Sequence, residues 1–348
     1  MTMGAALPLI ESVIEHGQRT SFVRELPREL YIETTNRCNL KCRTCPQYFG
    51  MPEDFADLTP ELVERIMGQF PFVRRVVLHG IGEPLLNPDL PRIIEGVKRR
   101  DAYALFNTNG LLLRGRFVEP VVRAGLDELR VSVDSASPET YQLVRGADGF
   151  QRIVDNLRGL TALKATLRTE TPKVSLWITG MKSNVGELPA LVRLADEIGV
   201  REVYLQRLVY SGRGLAVQDE ALFRQADGEE LRAVAEAERL ARELGIELKG
   251  SGEASAAEMV AGEGNDAESY RACRRPWSLM YVTANGNVLP CCIAPFTGAH
   301  YEGMVLGNIF EESAEAIWNG RRYQDWRRAM LSGDPPEACV GCGAGWSL

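Results

Sequence analysis

The sequence lacks the features that mark several classes of protein. It has no apolar run long enough to span a bilayer, and residues 1–9 lack a basic stretch followed by a long apolar core. Basic residues are not in excess, because 40 Lys and Arg stand against 47 Asp and Glu for a net charge of -7. Nucleic-acid phosphates favour a basic protein surface, which this composition does not provide. We therefore expect a cytoplasmic protein that binds neither a membrane nor nucleic acid.

A fourth cysteine is missing beside the group formed by Cys38, Cys42 and Cys45. A closed tetrahedral zinc site needs four ligands, so three thiolates indicate a metal centre with one open position. Three thiolates can also hold a cubane iron–sulfur cluster and leave one iron without a protein ligand. Reducing conditions in the cytosol disfavour disulfides, which supports metal binding. Ligand count favours the cluster, and a zinc site completed from elsewhere is the alternative.

Six short β-rich runs alternate with helical patterns between residues 30 and 210. Thr59-Pro60 and Ser137-Pro138 are typical helix starts, with a capping side chain before a first-turn proline. Six strand–helix units are too few for a closed eight-stranded barrel. They predict an α/β fold with a partial (β/α)6 TIM-like barrel, and a doubly wound sheet is the alternative. The predicted strands are Leu30–Thr34, Arg75–His79, Tyr103–Asn107, Glu128–Val133, Lys173–Thr179 and Glu202–Leu208.

Four more cysteines near the C-terminus form a complete set of thiolates. An Asn285-Gly286 turn between two β-prone runs predicts a hairpin over Met280–Pro290. A closed site of four thiolates can support structure or pass electrons, and a structural zinc site is the alternative to a cluster. Alternation along the strand points Cys292 away from its neighbour and leaves it unassigned. The predicted set is Cys273, Cys291, Cys339 and Cys342.

Composition divides the chain into four parts. Residues 1–29 are an N-terminal extension, and 30–210 form the partial barrel. Residues 211–270 hold a helix and a flexible connector rich in small and acidic residues, and 271–348 form a small α+β domain with the hairpin. Ligands of parallel α/β proteins lie at the carboxyl ends of the strands. The three-cysteine loop follows the first predicted strand, so it lies where chemistry is expected.

Cys38, Cys42 and Cys45, placed after the first strand of six βα units, resemble the defining motif of the radical S-adenosylmethionine (SAM) superfamily. The resemblance implies that SAM chelates the open iron through its amino and carboxylate groups. It implies reductive cleavage of SAM to a 5′-deoxyadenosyl radical, which abstracts a substrate hydrogen atom. It also implies an external electron donor such as flavodoxin or ferredoxin.

The same resemblance suggests which residues contact SAM. Gly82-Glu83-Pro84 resembles a segment that receives the methionine amine, although it alone would be an ordinary turn. Ser132 and Asp134 end a strand where the family contacts the ribose. Arg145 is a candidate for the methionine carboxylate, with a helix-surface arginine as the alternative. No catalytic base is identified, and the candidate contacts are Gly82, Glu83, Pro84, Asn109, Ser132, Asp134 and Arg145.

The C-terminal cysteines resemble the twitch domain, a short form of the SPASM domain, which implies one auxiliary cluster and two 4Fe–4S clusters in all. Together the two domains resemble 2-deoxy-scyllo-inosamine dehydrogenase-type enzymes. We therefore expect an oxidoreductase that oxidises an alcohol of a sugar or aminocyclitol, with the auxiliary cluster as electron acceptor. A small-molecule substrate is favoured over a peptide, because only residues 1–29 precede the first strand. The alternatives are an epimerase or decarboxylase of a sugar derivative, a peptide maturase, and a non-catalytic metal-binding scaffold.

Overall fold

The computed structural model describes residues 19–50, 53–251, 254–261, 270, 273–340 and 342. Most of the strands are short runs of aliphatic and β-branched residues that are buried along nearly their whole length, as expected when both faces of a sheet are covered. The strands are β1 (Glu29–Ile32), β2 (Arg75–Val77), β3 (Tyr103–Thr108), β4 (Glu128–Ser132), β5 (Lys173–Gly180), β6 (Glu202–Arg207), β7 (Glu247–Gly250), β8 (Leu279–Val282), β9 (Asn287–Leu289) and β10 (Gly307–Asn308).

All ten strands form one open sheet in the order β10-β9-β8-β1-β2-β3-β4-β5-β6-β7. Pairing is parallel from β8 through β1 to β7, and antiparallel between β8, β9 and β10. The carboxyl ends of eight parallel strands therefore lie at one edge of the sheet. The predicted α/β fold with a partial barrel is confirmed.

Helices cross over between successive parallel strands. The Thr59 hydroxyl accepts from the Leu62 amide, and the Ser137 hydroxyl accepts from the Thr140 amide, so both predicted caps are present. No described helix is both long and apolar enough to cross a membrane. The helices are α1 (Pro60–Met67), α2 (Leu90–Lys98), α3 (Val118–Arg123), α4 (Pro138–Arg145), α5 (Phe150–Leu167), α6 (Leu188–Glu197), α7 (Gly228–Leu244), α8 (Ala256–Ala261), α9 (Arg275–Ser278), α10 (Tyr301–Met304), α11 (Ala314–Trp318) and α12 (Arg321–Ser332).

Residues 211–270, predicted as a helix and a flexible connector, contain the predicted helix as α7. The described part of this segment also holds the strand β7 and α8, and β7 pairs in parallel with β6. Residues 252–253 and 262–269 of the predicted connector, and residues 1–18 of the predicted N-terminal extension, lie outside the described residues. The sequence pattern that would predict β7 as a strand is weak, because two of its four residues are charged. Pairing with β6 stabilises this segment as a strand.

The C-terminal region joins the sheet beside β1, at the end of the sheet opposite β7. The predicted hairpin is present, and its first strand β8 pairs with β1 in the register Leu30↔Met280. Gly286 adopts φ +82° in the hairpin turn, a conformation that glycine tolerates without strain. The C-terminal cysteines are thereby held beside the first strand of the barrel.

A buried arginine fastens the last long helix to this region. The Arg327 guanidinium lies 4.2 Å from the centre of the Trp318 ring and 4.3 Å from that of Tyr323. It donates to the carbonyls of Pro276, Trp318 and Ser21. Because three chain segments meet at one side chain, α12 has a fixed position against α9.

Candidate active site

A cavity of about 230 Å³ lies at the carboxyl ends of the parallel strands. Residues in or just after β1 to β6 supply most of its wall. The C-terminal region contributes Arg275 and Cys292 to the other side. Since the lining also includes Cys38, Cys42 and Cys45, the cavity lies between the two cysteine-bearing regions.

The three-cysteine loop follows β1 and turns back at its second cysteine, because the Cys45 amide donates to the Cys42 carbonyl at 3.0 Å. Cys42 is buried, and Cys38 and Cys45 are half-buried. Arg145 Nη1 donates to Cys42 Sγ at 3.5 Å, and Asn109 Nδ2 lies 4.0 Å from Cys38 Sγ. The structure therefore brings the three predicted ligands to one cavity, with donors that can stabilise negative charge on sulfur.

Burial raises the pKa of two thiols in this loop. The pKa of Cys38 rises to about 11 and that of Cys45 to about 12, and neighbouring negative groups add to the effect of burial. These two thiols are therefore protonated at neutral pH in the metal-free protein. Metal binding must release their protons, so metal uptake through this loop should become tighter as pH rises.

Gly82 packs against the three-cysteine loop. A Cβ atom at this position would lie 2.1 Å from the Thr35 carbonyl oxygen and 2.8 Å from that of Arg37. The adjacent Glu83 amide donates to the same Arg37 carbonyl at 2.7 Å. Glycine is required here for the close approach of two protein segments. These contacts explain how the cysteine loop is held, and the predicted contact of Gly82 with SAM stays a prediction.

Glu83 is buried and already has three protein donors. Its carboxylate accepts from the Asn109 amide at 2.7 Å, the Thr108 hydroxyl at 2.8 Å and the Leu85 amide at 3.2 Å. A carboxylate offers about four lone-pair directions, so about one is left for a ligand donor. Burial raises the pKa of Glu83. Pro84 does not line the cavity, and its predicted contact with SAM stays a prediction.

Arg145 and Asp134 form a buried ion pair. Arg145 Nη2 lies 2.8 Å from Asp134 Oδ2, and Asp134 Oδ1 accepts from the Thr179 amide at 2.7 Å. Arg145 is thus not the surface arginine of the alternative interpretation. Ser132 and Asp134 both line the cavity, as alternation along β4 predicted. A carboxylate ligand would have to share Arg145 with Asp134.

Aromatic side chains form a further part of the cavity wall and were not among the predicted site residues. The rings of Trp177 and Tyr204 stack with centroids 3.9 Å apart. The Arg130 guanidinium lies 4.5 Å from the Trp177 ring centre and pairs with Glu128 at 2.6 Å. Each of these three cavity residues precedes another lining residue by two positions on its strand, so the period-two pattern could have identified them.

His79 also lines the cavity. Burial, helped by Arg130 and Arg75, lowers its pKa to about 3, so the imidazole is neutral at physiological pH. It lies edge-on to Tyr31 at a centroid distance of 5.8 Å. Its Nδ1 has no hydrogen-bond partner among the described residues. The sequence favoured a packed histidine, and the structure shows His79 both packed against Tyr31 and part of the cavity wall.

The second set of cysteines gathers near a buried arginine. Burial raises the pKa of Cys291, Cys339 and Cys342, neighbouring thiols add to the rise, and the Arg275 guanidinium opposes it. The thiol of Cys273 is among those neighbours. The Cys342 amide donates to the Cys339 carbonyl at 3.2 Å, which closes the turn between the last two cysteines. The thiols of the four predicted ligands therefore lie near one another and near the Arg275 guanidinium.

The two adjacent cysteines of the hairpin have different surroundings. Cys292 lines the cavity and Cys291 does not. Burial raises the pKa of Cys292, and the Arg275 guanidinium opposes this. The strand β9 ends at Leu289, before both cysteines, so the assignment of Cys291 and not Cys292 to the second metal centre stays a prediction.

Both cysteine sets fit iron–sulfur clusters in their chemistry. In a cubane each thiolate binds a different iron, so the sulfur atoms need not converge on one point. Within the part of the chain that the structure describes, no three His, Cys, Asp or Glu side chains are grouped closely enough to hold a single metal ion. A preformed zinc site would require that convergence. The arrangement of the thiols is therefore compatible with clusters.

Comparison with known proteins agrees with these features. Residues 32–204 match the Radical SAM superfamily, and residues 273–343 match the SPASM iron–sulfur cluster-binding domain. A PqqA peptide cyclase from Gluconobacter oxydans is 25% identical over 325 residues, which are 91% of this chain and 82% of that protein. A PqqA peptide cyclase from Streptomyces rochei is 28% identical over 320 residues, 90% of this chain and 81% of that protein.

Solved structures share the fold. Streptococcus suis SuiB bound to S-adenosylmethionine aligns with a TM-score of 0.63 at 17% identity, over 88% of this chain and 68% of that chain. The same protein bound to its precursor peptide SuiA aligns with a TM-score of 0.60 at 16% identity, over 86% and 66% of the two chains. At these identities the likeness establishes the fold.

The preference for a small-molecule substrate over a peptide is wrong. The relatives that match over nine-tenths of the chain are peptide cyclases, and SuiB has been solved with a peptide bound. The narrower resemblance to 2-deoxy-scyllo-inosamine dehydrogenase finds no support in these relatives. The preference relied on how few residues precede β1, and that number does not determine what the cavity admits.

The matched domains confirm the predicted cofactors, which are SAM and 4Fe–4S clusters. The protein is therefore a radical SAM enzyme, whose chain carries a radical SAM domain over residues 32–204 and an iron–sulfur cluster-binding SPASM domain over residues 273–343.

Proposed function

We propose that this protein is a peptide-modifying radical enzyme that forms a new covalent bond within a peptide substrate. The observation that carries the proposal is the extent of similarity to PqqA peptide cyclases, which spans 90–91% of the chain. Similarity confined to the barrel would support SAM cleavage alone. Similarity that continues through the SPASM domain supports a shared class of reaction.

The two cysteine sets have separate roles in this proposal. Cys38, Cys42 and Cys45 hold the cluster that binds SAM, and Cys273, Cys291, Cys339 and Cys342 hold the auxiliary cluster. When bound, these groups supply a 5′-deoxyadenosyl radical that takes one hydrogen atom from the peptide, and an acceptor for the electron left when a second hydrogen leaves as a proton. The cavity is lined by the first set and by Arg275 and Cys292 of the C-terminal region, so a substrate segment in it would contact the first set and lie next to the region that holds the second.

Other side chains orient the ligands. Arg145 holds Asp134 and Cys42 together, so the wall of the SAM site is fixed before SAM arrives. The remaining lone pair of Glu83 is placed to accept from an ammonium group. The stacked rings of Trp177 and Tyr204 provide a flat apolar surface for a peptide side chain. Ser132 and Asn109 line the same cavity and complete the proposed contacts.

The proposal is tested by supplying the anaerobically reconstituted chain with SAM, dithionite and a mixture of synthetic precursor peptides that includes PqqA and SuiA. We expect one peptide to lose the mass of two hydrogen atoms and to gain a link that resists sequencing by fragmentation. Deuterium placed in that peptide should appear in 5′-deoxyadenosine. Transfer of deuterium from polyols, with every peptide unchanged, would overturn the proposal in favour of alcohol oxidation.

A further inference from the structure

The outer face of the three-cysteine loop carries positive charge beside exposed aromatic rings. Lys41 and Arg213 are exposed, and Arg43 is half-buried. The side chains of Tyr48 and Phe49 are 47% and 37% exposed. We refer to these five residues as the basic aromatic patch. It lies on the solvent side of the loop and is separate from the cavity, which none of the five lines.

Direct contacts hold the patch together. The rings of Tyr48 and Phe49 meet edge to face with centroids 4.9 Å apart, and the Arg213 guanidinium lies 5.8 Å from the Phe49 ring centre. The Leu215 amide donates to the Arg43 carbonyl at 2.9 Å. The loop that follows β6 therefore packs on the three-cysteine loop, and the two present one continuous surface.

The cations of the patch are unpaired. Among the described residues, none of Lys41, Arg43 and Arg213 forms an ion pair, whereas the nearby Arg37 and Arg145 each pair with an aspartate. The chain as a whole has a net charge of -7. A local positive surface on an acidic protein attracts an acidic partner to one place, while the rest of the surface repels it. Exposed aromatic rings supply the apolar contact typical of an interface core.

The patch covers the metal-binding loop from outside. Lys41 and Arg43 flank Cys42, whose thiol faces the cavity, and the Tyr48 amide donates to the Cys45 carbonyl at 3.0 Å. A partner seated on the patch would be separated from these thiols by the thickness of one loop. This is a short route for an electron from the protein surface to the first cluster.

We propose that the basic aromatic patch docks a small acidic one-electron carrier protein of the flavodoxin type. In the step that docking serves, the reduced carrier loses one electron and the oxidised cluster gains it. No bond is made or broken, and no proton is needed. Charge steers the carrier to the patch, and contact with the two rings holds it there.

The test compares two charge-reversed forms of the reconstituted protein. The first carries Lys41→Glu and Arg213→Glu. The matched control carries Arg232→Glu and Arg321→Glu, which lie on exposed helix faces and change the net charge equally. We expect the first form to bind flavodoxin about tenfold more weakly than the control in low salt, measured by calorimetry. Added salt should reduce the difference, because exposed charges are screened.

A second readout uses SAM cleavage without any peptide. With reduced flavodoxin, we expect 5′-deoxyadenosine to form about tenfold more slowly in the first form than in the control. With dithionite, which needs no docking site, both forms should cleave SAM at the wild-type rate.

Equal flavodoxin affinity in the two forms would overturn the proposal, as would a dithionite rate that falls in step with the flavodoxin rate. Weakened binding of a precursor peptide with unchanged flavodoxin affinity would instead assign the patch to the substrate. Because no substrate is used, failure here leaves the proposed peptide modification untouched.

Discussion

The two cysteine sets contain the same side chain but face different surroundings. Cys38, Cys42 and Cys45 line the cavity, whereas none of Cys273, Cys291, Cys339 and Cys342 does. The set with one ligand too few is thus the set that faces the space for SAM and substrate. The three-ligand set, which has an open metal position, therefore faces the cavity, and the four-ligand set, which has none, does not.

The charges beside the two sets differ as well. Arg145, next to Cys42, is paired with Asp134, so its charge is largely compensated. Arg275 is also buried, and it lies near the thiols of Cys292, Cys273 and Cys291. A buried guanidinium thus borders each set, with an aspartate beside the first and several thiols beside the second.

The largest effect is expected from Cys42→Ala. Loss of one of only three ligands should abolish 5′-deoxyadenosine formation, because the iron that chelates SAM would no longer be held in place. Chromatography of reactions driven by dithionite measures this directly. Cys292→Ala serves as the matched control, since its thiol lines the same cavity and is not a proposed ligand. Normal cleavage in Cys42→Ala would mean that the two regions have been assigned the wrong way round.

Cys291→Ala should separate the two activities. We expect it to retain most SAM cleavage while losing the peptide product, because the electron acceptor is removed and the radical source is intact. Iron content should fall from about eight per chain to about four if each set holds one cubane. Cys292→Ala should keep the full iron content. The opposite result for the two adjacent cysteines would break the assignment made from strand alternation.

Glu53 connects the two regions, and its substitution is expected to have a smaller effect, on stability. Its carboxylate accepts from Thr283 Oγ1 at 3.0 Å, Asn285 Nδ2 at 3.0 Å and Asn287 Nδ2 at 2.6 Å, and from the Tyr301 hydroxyl. All four donors belong to the C-terminal region, whereas Glu53 follows the three-cysteine loop. Glu53→Gln should lower the free energy of unfolding by about 2 kcal/mol, since hydrogen bonds to a charged group are lost.

Thermal unfolding of Glu53→Gln and of Glu311→Gln, an exposed control, measures this contribution. We expect a lower midpoint for the first and no shift for the second. Equal midpoints would show that the two regions are held together by other contacts, such as the pairing of β1 with β8.

Glu33 predicts a pH dependence of stability. Its carboxylate accepts from the Ile81 amide at 2.6 Å and from the Ala284 amide of the hairpin at 3.1 Å, and burial raises its pKa from 4.5 to about 7. The folded state then binds a proton more tightly than the unfolded state does. Stability should fall as pH rises from 4.5 to about 7, by roughly 3 kcal/mol at most. Denaturant titrations of Glu33→Gln should show a flatter profile, and an unchanged slope would assign the dependence to another group.

Local signals predicted much of this molecule. The capping residues Thr59 and Ser137 begin helices where their spacing indicated, and Asn285-Gly286 turns the hairpin. Each of these depends on hydrogen bonds within a few residues. The cysteine motif likewise required no distant partner to be recognised.

Features that depend on distant contacts escaped prediction. The pairing of β8 with β1 joins residues 250 positions apart, and the pattern of neither strand encodes it. The burial of Arg145 follows from its partner Asp134, and the need for Gly82 follows from the Thr35 carbonyl. The alternation along β5 and β6 could have identified Trp177 and Tyr204, but the stacking of their rings depends on the pairing of the two strands. These interactions form only when the sheet has assembled.

The contrast between the two cysteine sets is tested most directly by electron paramagnetic resonance of the reduced clusters with and without SAM. We predict that SAM changes the spectrum of the cluster that remains in Cys291→Ala, because that cluster has the open iron. We predict no change for the cluster that remains in Cys42→Ala. A spectral response to SAM that persists in Cys42→Ala and is absent from Cys291→Ala would contradict the assignment of the open position to the three-cysteine loop.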